Sequence, residues 1–531
     1  MNTDALRKKI LDLAIRGKLV PQDPDDEPAS VLLECIRTEK QQMVKDGKLK
    51  KKDIKNDTVI YVGEDNLHYE KFQDGTVKCI EDEIPFELPE GWCWTRLASI
   101  CIKVTDGTHH SPENYPTGEY KYITAKNVKS DGVLLDDITY VASDVHKEIF
   151  ARCNPEFGDI LYIKDGATSG IATVNTLREE FSMLSSVALL KPAQGIDNWY
   201  MCYAMQSPYF YATTRGDMKG VGITRITLNM LTSRLIPIAP KIEQQRISIK
   251  VRELICLVTN IESDKNNIIK VIANTKRKIL DLAIRGELVP QNPDDEPASV
   301  LLERIRAEKE ELIKQGKIKR DKKESVIFKG DDNSYYLRSE SKTVETTNEL
   351  PYEIPDSWEW ARIGDVLQVN PRNKIEDLLE VSFIPMPLID DGFSGKHTSE
   401  VRVWEKVKSG FTPFMEGDIG IAKITPCFEN RKSVVFRNLK NGYGAGTTEL
   451  HILRPYASTI LPEYILAYVK SSMFIGKGKQ EFTGAVGQQR IGKDYVENSC
   501  FPIPPFAEQT RIVEQIHIAY KQLDLISNAL L

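Results

Sequence analysis

The residues best suited to chemistry are polar side chains in a glycine-containing loop near the end of the chain. Gln488, Gln489 and Arg490 directly follow Gly487 and precede Ile491. Amide and guanidinium groups form paired hydrogen bonds with the edges of adenine and guanine, so this run could read bases. Basic side chains nearby would contact phosphates. The alternative for each residue is an exposed polar side chain that binds nothing.

Local charge supports this chemistry more clearly in the second half of the chain than in the first. The 531 residues include 71 Lys and Arg against 77 Asp and Glu, a net charge of -6, so the whole chain gives no sign of an anionic partner. Residues 405–493 hold 13 basic against 7 acidic side chains, whereas residues 86–236 hold 14 against 17. Any nucleic-acid contact in the first half must therefore depend on a local patch.

Candidate contact residues occur in both regions, and their side chains donate or accept hydrogen bonds or carry positive charge. In the first region they are Thr108, His109, His110, Lys126, Asn127, Thr168, Ser169, Arg215, Lys219, Thr224 and Arg225. In the second they are Arg372, Lys374, Lys396, Lys423, Thr425, Arg431, Lys432, Lys477, Lys479, Gln488, Gln489 and Arg490. The histidine pair, in a glycine-flanked loop, is equally consistent with base contact and with a solvated turn.

The two regions are set in a frame of repeated sequence. Residues 9–34 and 278–303 match at 24 of 26 positions. Two shorter motifs also occur twice: "IPFELPEGWCW" at 84–94 matches "LPYEIPDSWEW" at 350–360, and "PIAPKIEQQRI" at 237–247 matches "PIPPFAEQTRI" at 502–512. Repeated segments indicate a geometry that is itself repeated. The motif tryptophans are predicted to lie in the core rather than to stack on bases.

Two inserts, residues 95–236 and 361–501, lie between the repeated motifs and share little sequence. Their common features are Gly-Asp-Ile, at 158–160 and 417–419, and Gly-x-x-Arg-Ile, at 222–226 and 487–491. Diverging inserts in a constant frame indicate that each insert recognises something different.

The frame is predicted to be helical. From Ile247 to Leu282 apolar residues recur every three or four positions, interrupted only by Lys265 and Thr275, which predicts one long coiled-coil-like helix. The same spacing restarts at Ile512, and the repeat register makes the start of the chain its continuation. We therefore expect two long antiparallel coiled-coil-like regions in a circular, pseudo-twofold arrangement. A shorter amphipathic helix follows each, and its lysine-rich end is typical of a solvated face.

The inserts combine strand and helix patterns. Short apolar runs separated by Gly and Asp, such as "GDILYIKDGATSGIATV" from Gly158 and "GDIGIAKIT" from Gly417, predict strands. Each insert then carries one predicted helix, over 199–215 and 462–478, that leads into a glycine-rich loop. The fold class is therefore α+β, with two α/β insert domains separated by two long helical regions.

The sequence contains no recognisable catalytic or metal-binding motif. Nine cysteines stand without a Cys-x-x-Cys pair and seven histidines without metal-ligand spacing, which disfavours a zinc site and fits a reducing cytosol. No apolar run is long enough to span a membrane. No Walker A sequence is present, and "NPEF" at 154–157 departs from the Asn-Pro-Pro-Phe/Tyr motif of adenine methyltransferases at its third residue.

In their order, the motifs resemble the specificity subunit of Type I restriction–modification systems. The tryptophan motif opens each insert, Gly-Asp-Ile lies in its middle, and Gly-x-x-Arg-Ile and the Glu-Gln-x-Arg-Ile motif close it. The resemblance covers essentially the full chain and implies a non-catalytic, cytoplasmic bacterial or archaeal protein that recognises double-stranded DNA. One departure is the segment after each long helix, which is longer than a minimal member needs. Nothing in the sequence indicates a role for residues 17–60 and 286–330.

The resemblance implies a division into five parts. These are an N-terminal helical region at 1–55, a first target recognition domain at 56–240 with core 86–236, a central helical region at 241–325, a second target recognition domain at 326–505 with core 352–501, and a C-terminal helix at 506–531.

The resemblance also implies partners. They are two adenine-N6 methyltransferase subunits and, where DNA is cleaved, two ATP-driven restriction subunits. S-adenosylmethionine, Mg²⁺ and ATP are expected on those subunits, with no cofactor in this chain. A repeated surface suits two copies of one partner, and the candidate docking residues are Ile10, Leu13, Ile279, Leu282, Ile247 and Ile512.

The expected DNA target is an asymmetric site of two parts with an unread spacer, whose length the helical rod sets. A protein-binding scaffold or adaptor with two variable recognition domains is the alternative, and it would account for the lack of basic excess in residues 86–236. Salt-dependent binding to one defined DNA sequence would separate the two functions.

Overall fold

A computed structural model describes residues 2–216, 225–320, 324–339, 342–457, 459–485 and 487–530. The chain divides into two compact units, unit 1 (Met1–Asp264) and unit 2 (Lys265–Leu531). Helices and strands occur in both units, so the predicted mixed fold class is confirmed. The circular arrangement and the five-part domain division stay predictions.

Unit 1 combines helices with short strands. Its helices are α1 (Thr3–Ile15), α2 (Ala29–Lys45), α3 (Ser143–Arg152), α4 (Asn198–Gln206), α5 (Pro208–Gly216) and α6 (Leu228–Thr232), and α7 (Lys241–Ala283) begins in unit 1 and ends in unit 2. Its strands are β1 (Val59–Val62), β2 (His68–Lys71), β3 (Val77–Cys79), β4 (Cys93–Arg96), β5 (Cys101–Asp106), β6 (Tyr120–Ile123), β7 (Val128–Lys129), β8 (Gly132–Val133), β9 (Thr139–Val141), β10 (Ile160–Ile163), β11 (Ala172–Val174), β12 (Phe181–Met183), β13 (Val187–Pro192) and β14 (Leu235–Ile238).

Unit 2 repeats this composition. Its further helices are α8 (Ala298–Lys314), α9 (Ile363–Val366), α10 (Pro462–Val469), α11 (Ser472–Gln480), α12 (Lys493–Asn498) and α13 (Phe506–Leu530). Its strands are β15 (Ser325–Lys329), β16 (Tyr335–Ser339), β17 (Thr343–Glu345), β18 (Glu359–Arg362), β19 (Leu367–Val369), β20 (Glu380–Ile384), β21 (Glu400–Val403), β22 (Thr412–Met415), β23 (Ile419–Ala422), β24 (Ser433–Val435), β25 (Tyr443–Gly446), β26 (Leu450–Pro455) and β27 (Cys500–Ile503).

The predicted long helix is confirmed as α7, which has 43 residues. Two of its heptad positions are exposed in this chain: Ile261 is 39% exposed and Ile268 is 40% exposed. The apolar core of unit 1 reaches Val258, and that of unit 2 begins at Ala283, so neither core covers these two isoleucines. The shorter amphipathic helices are confirmed as α2 and α8.

Each insert is built around the same four-stranded antiparallel sheet. The strand order is β11-β10-β13-β5 in unit 1 and β24-β23-β26-β19 in unit 2. All four residues of β10 and all four of β23 are buried, as the apolar runs after Gly-Asp-Ile predict. The two inserts, although dissimilar in sequence, therefore each contain a central sheet with the same strand order.

The aspartate of each Gly-Asp-Ile holds the turn that leads into this central strand. Asp159 accepts from the backbone N–H of Glu156 at 2.7 Å and pairs with Lys191 at 2.8 Å. Asp418 accepts from the backbone N–H of Met415 at 2.8 Å, and Arg454 Nη2 lies 2.7 Å from its Oδ2. Burial raises the pKa of both aspartates, although the paired cation opposes the shift. The motif is therefore a structural one.

The single helix predicted at the end of each insert is wrong. The segment 199–215 forms α4 and α5, which are separated at Ser207 because Pro208 cannot continue the backbone hydrogen bonding of a helix. The segment 462–478 forms α10 and α11. There Ser471 is extended, and its side chain caps α11 by accepting from the backbone N–H of Phe474.

Each unit also contains a three-stranded antiparallel hairpin sheet that the sequence patterns did not reveal. The strand order is β1-β2-β3 in unit 1 and β15-β16-β17 in unit 2. Each first turn contains an asparagine with a left-handed backbone, Asn66 and Asn333, both with φ 62°. β3 and β17 are exposed at every residue and β1 at its last two, so these three strands lack the alternating burial that period-two patterning detects.

The repeated motifs of unit 1 meet at what we call the motif junction, formed by Asp26, Trp92, Glu243, Gln244 and Arg246. The indole Nε1 of Trp92 donates to Oε2 of Glu243 at 2.9 Å. Arg246 donates to the Oδ1 atom of Asp26 at 3.2 Å. Gln244 accepts from a backbone N–H of the insert at 2.9 Å and donates to a carbonyl just before α7 at 2.8 Å. One glutamate, one glutamine and one arginine thus tie the motifs together.

The motif junction of unit 2 has the same chemistry in Asp295, Trp358, Glu508, Gln509 and Arg511. The indole of Trp358 donates to Glu508 at 2.9 Å, and Arg511 donates to Asp295 at 2.6 Å. Gln509 accepts from an insert N–H at 2.9 Å and donates to a carbonyl at 3.1 Å. The four motif tryptophans are all buried, so their predicted place in the core is confirmed.

The predicted docking residues need a correction. Ile10, Ile247 and Ile512 lie in the hydrophobic cores of their own units, and the last two are fully buried, so they cannot contact a partner. Leu13, Ile279 and Leu282 are half-buried. Among the described residues, no helix has the length and apolar character required to cross a membrane.

Candidate nucleic-acid interface

The chain leaving the central strand meets the Arg-Ile pair of Gly-x-x-Arg-Ile in both units. In unit 1 we call these residues exit site 1 (Lys164, Asp165, Arg225 and Ile226). In unit 2 we call them exit site 2 (residues 423–425, 483–485 and 487–491). In unit 1, the residues at 165 and 225 form an antiparallel bridge, and the N–H of Ile226 donates to the carbonyl of Lys164 at 3.0 Å.

Exit site 2 has the same backbone connections. Ile424 bridges Arg490, and the N–H of Ile491 donates to the carbonyl of Lys423 at 3.0 Å. The backbone N–H of the lysine donates to a carbonyl in both sites. Lys164 donates to the carbonyl of Ser186 and Lys423 to the carbonyl of Glu449, each at 3.0 Å. The chain after each central strand and the Arg-Ile pair of Gly-x-x-Arg-Ile therefore form one backbone site twice, with lysine, arginine and isoleucine in common and Asp165 in the place of Ile424.

Exit site 2 brings together five of the predicted contact residues: Lys423, Thr425, Gln488, Gln489 and Arg490. The carbonyl of Gln489 accepts from the N–H of Thr425 at 2.9 Å. The Gln488 side chain is exposed, whereas the Thr425 hydroxyl is buried without a hydrogen-bond partner in the described residues. The exposed amide of Gln488 is thus the group here that is free to bind a base edge.

A carboxylate fixes the arginine of exit site 2. Glu449 accepts from Nε and from Nη2 of Arg490, both at 2.9 Å, and the hydrogen bonds from Arg490 lower the pKa of Glu449. Nη1 donates to the carbonyl of Gln488 at 2.8 Å. A guanidinium has five N–H donors, so two remain on a group that is already oriented.

Exit site 1 holds its arginine less firmly. The side chain of Arg225 is 67% exposed, and its ion pair to Asp165 spans 3.9 Å. Most of its donors are therefore available to a ligand. The two sites thus each present an arginine. Arg490 is held by two hydrogen bonds to Glu449, whereas Arg225 has only a 3.9 Å ion pair with Asp165.

A charged cluster adjoins exit site 1, and of its members the sequence predicted His109 but missed Asp106, Arg152 and Lys164. The buried carboxylate of Asp106 pairs with Arg152, lies 3.4 Å from Lys164 Nζ and 3.4 Å from His109 Nε2. Arg152 is half-exposed and His109 is mostly exposed. Lys164 follows the Gly-Asp-Ile strand directly, and that position was the signal that could have identified it. Thr108, which bonds its own loop, lies beside the same cluster.

Several predicted contact residues are committed to internal bonds. Arg431 donates to the carbonyl of Lys470 at 2.9 Å, Lys432 to two backbone carbonyls at 2.9 and 3.2 Å, and Lys479 pairs with Glu429 at 2.6 Å. In unit 1, Asn127 and Ser169 are buried, and the amide of Asn127 holds a turn. Asn127 and Ser169 are buried, and Arg431 and Lys432 are held by backbone carbonyls, so in this structure they are poorly placed to bind a ligand, whereas Lys479 stays 51% exposed.

The remaining predicted residues are exposed but are not joined to either exit site by a hydrogen bond or ion pair in the described residues. Arg215 lies against Tyr211, and its Nη2 is 3.4 Å from the carbonyl of Ala167. The others are His110, Lys126, Thr168, Arg372, Lys374, Lys396 and Lys477. Lys219 and Thr224 lie outside the described residues. The described part of the chain also shows no group of three or more side chains placed to hold a metal ion.

No family model matches the chain. It is 46% identical over 243 residues to the Type I restriction enzyme EcoAI specificity subunit of Escherichia coli and 45% identical over 243 residues to the EcoEI specificity subunit of the same organism. Each match covers 46% of this chain and 38% of the relative, so the chain spans well under half the length of these curated relatives. The resemblance to Type I specificity subunits is confirmed over this stretch.

Solved structures show a weaker likeness. One, described as the structural basis of complex assembly and conformational transition of the type I R-M system, has a TM-score of 0.49 and 15% identity, and covers 84% of this chain and 94% of that chain. The crystal structure of the HsdS subunit from Thermoanaerobacter tengcongensis has a TM-score of 0.41 and 15% identity, and covers 85% and 94%.

Proposed function

We propose that this chain is the specificity subunit of a Type I restriction–modification system, which selects a DNA sequence for partner subunits to modify. Each unit supplies one reader, so the target is an asymmetric site in two parts separated by an unread spacer. The chain itself catalyses no reaction. S-adenosylmethionine, Mg²⁺ and ATP bind to the partner subunits and not to this chain.

The observation that carries this proposal is the pair of exit sites. Both have the same bridge and the same backbone hydrogen bonds. The arginine is paired with Glu449 in unit 2, whereas in unit 1 it lies weakly against Asp165. Direct readout requires donors and acceptors at fixed positions, and a different set of them for a different base sequence. A constant backbone site whose arginine is held by a different carboxylate in each unit is consistent with both requirements.

The partners follow from the repeat. The helical frame is repeated in the two units, and a repeated surface suits two copies of one subunit. We propose two methyltransferase subunits and, where the system cleaves DNA, two restriction subunits. The half-buried Leu13, Ile279 and Leu282 are the predicted docking residues that stay accessible to such a partner.

The test is to produce the chain together with its methyltransferase subunit in a host that lacks other adenine methylation, and to map N6-methyladenine across the genome. The expected result is one asymmetric two-part motif. Purified complex should bind a duplex containing that motif more tightly than a scrambled duplex, with an affinity that falls as salt rises.

The control is a double variant, Arg225→Ala with Arg490→Ala, which should lose the motif while the complex stays assembled. If a well-folded wild-type complex methylates no defined motif and binds both duplexes equally, the DNA-reading function is wrong. Capture of a protein by the inserts, together with that result, would instead support a scaffold or adaptor.

A further inference from the structure

We propose that residues 48–55 of unit 1, together with the cleft beside them, bind DNA phosphates without regard to base sequence. This site rests on the proposed function, because it deepens how unit 1 holds DNA. It also assigns a role to part of the segment that follows the shorter helix, for which the sequence motifs gave none.

The basic segment lies directly after α2. It has five lysines in eight positions, and all five are exposed: Lys48, Lys50, Lys51, Lys52 and Lys55. A short 3-10 turn, Lys51–Ile54, holds it in shape, and the N–H of Lys50 donates to Asp53 at 2.8 Å. The segment is therefore an ordered basic surface.

The cleft gives this surface a place to hold a strand. Lys48 and Lys52 line an open cleft of ≈510 Å³ with β5 and α6 opposite them. Asn56, Asn229 and Thr232 line both this cleft and an adjoining one of ≈930 Å³, which Lys55 also lines. Amide and hydroxyl side chains contact phosphate and sugar oxygens as lysines do.

The charges along the clefts leave the lysines unneutralised. The acidic residues Glu70 and Glu83 are already paired, both with Arg96 at 2.7 Å and Glu83 also with Lys78 at 2.6 Å. Lys48, Lys52 and Lys55 are exposed. One further carboxylate, that of Asp53, lines the first cleft together with Lys48 and Lys52, so lysines outnumber unpaired carboxylates there. The result is a local positive surface in a unit whose insert has no basic excess.

The cleft also leads toward the reader. Strand β5 lines it from Cys101 to Thr105, and the next residue is Asp106 of the charged cluster. Helix α6, on the other side, starts three residues after Arg225 of exit site 1. A strand rises about 3.3 Å per residue, so the clustered carboxylate lies about 10 Å from the middle of the cleft wall. That distance corresponds to about three base pairs of duplex.

Unit 2 has neutralised part of the same charge. Its corresponding segment, residues 317–324, also has five basic residues (Lys317, Lys319, Arg320, Lys322 and Lys323), but it has two acidic residues where residues 48–55 have one. Arg320 donates to both oxygens of Glu310 at 2.7 and 2.6 Å, and Lys322 and Lys323 lie outside the described residues. Unit 2 has a basic excess within its own insert instead. We therefore assign the phosphate contact to unit 1, whose insert has no excess of basic residues.

The experiment measures the affinity of the assembled complex for its target duplex and for a scrambled duplex between 50 and 300 mM salt (about the range in which phosphate contacts dominate). The test variant is Lys48→Gln with Lys52→Gln and Lys55→Gln. The matched control, Lys314→Gln with Lys317→Gln and Lys319→Gln, removes three exposed lysines from unit 2.

The test variant should lower the salt slope by about 0.9 for each phosphate whose lysine is removed, hence by about 1 to 3. Affinity should fall by the same factor for both duplexes, and the methylated motif should not change. The control should shift the slope by less. An unchanged slope, an equal shift in the control, or a weakening confined to the target duplex would overturn the phosphate site. A wild-type complex that shows no preferred duplex would instead overturn the proposed function.

Discussion

The indole Nε1 of Trp358 donates a hydrogen bond to Oε2 of Glu508 at 2.9 Å, inside the hydrophobic core of unit 2. This bond joins the motif that opens the insert to the motif that closes it. Trp92 and Glu243 make the same bond at 2.9 Å in unit 1. The repeated sequence is thus explained by structure, because each insert must be closed onto the same helical frame.

Replacing Trp358 with Phe should destabilise unit 2. It leaves a carboxylate oxygen without its donor in a buried site, which costs about 1–3 kcal/mol. Burial already raises the pKa of Glu508, although the bond from Trp358 opposes this. Urea denaturation should show the destabilisation as a lower midpoint.

Trp360 is the matched control for this substitution. It is also buried, but its indole N–H has no hydrogen-bond partner in the described residues. Trp360→Phe removes a similar volume and no hydrogen bond, so it should cost less than Trp358→Phe. Equal costs for the two variants would mean that packing alone, and not the bond to Glu508, holds the junction.

The stability of unit 2 should depend on the titration of Lys470. Burial, and then the nearby charge of Arg431, lower the pKa of Lys470 from 10.5 to about 7. Between these values the unfolded chain holds a proton that the folded chain lacks. The free energy of unfolding should therefore rise with pH above about 7, by up to about 1.4 kcal/mol per pH unit, and the gain is lost as pH falls through 7.

The measurement is urea denaturation of wild type and Lys470→Met at several values between about pH 6 and 10. The amine donates to the carbonyls of Gly392 and Arg431 at 2.5 and 2.7 Å, so the variant is less stable at high pH. The difference between the two proteins should grow with pH. A constant difference would show that Lys470 keeps its proton in the folded chain.

Arginine substitutions at the exit sites should act on separate halves of the target. Arg490→Ala removes an oriented guanidinium, and a bidentate contact with guanine contributes about 1–3 kcal/mol of discrimination. The methylated motif should lose one base preference in the half that unit 2 reads. Arg225→Ala should relax the other half. Both substitutions relaxing the same half would contradict the assignment of one reader to each unit.

Inserting seven residues in the middle of α7 should change the spacer while both half-sites stay the same. The insertion keeps the heptad register and lengthens the helix by about 10 Å, which corresponds to about three base pairs. Methylation mapping reads the spacer directly. An active complex with its original spacer would show that α7 does not set this length.

Much of the frame could be predicted from the sequence because its signals are local. The heptads of α7 specify its helical periodicity, and the apolar runs of β10 and β23 specify burial, without knowledge of the rest of the fold. The hairpin sheets were missed because exposed strands lack an alternating pattern. The break at Ser471 was missed because a serine cap inside an apolar run resembles helix interior.

The site could be predicted only where chain neighbours are also neighbours in space. Gln488 and Arg490 lie in one loop, so the sequence indicates them together. The partner of Arg490, Glu449, lies 41 residues away in the turn before β26, so sequence could not show that the guanidinium is already oriented. For the same reason the sequence predicts Arg431 and Lys432 as free cations, although tertiary contacts commit them to carbonyls.

The most direct test of two independent readers is to replace residues 95–236 with the corresponding insert of a relative and to map the methylated adenines. The five residues of the motif junction of unit 1 lie outside the exchanged segment. Only the insert N–H that donates to Gln244 is replaced, so the complex should assemble. We predict that one half of the two-part site changes to the donor's half, and that the other half and the spacer stay as they are. A motif that changes in both halves, or in neither, would contradict the account.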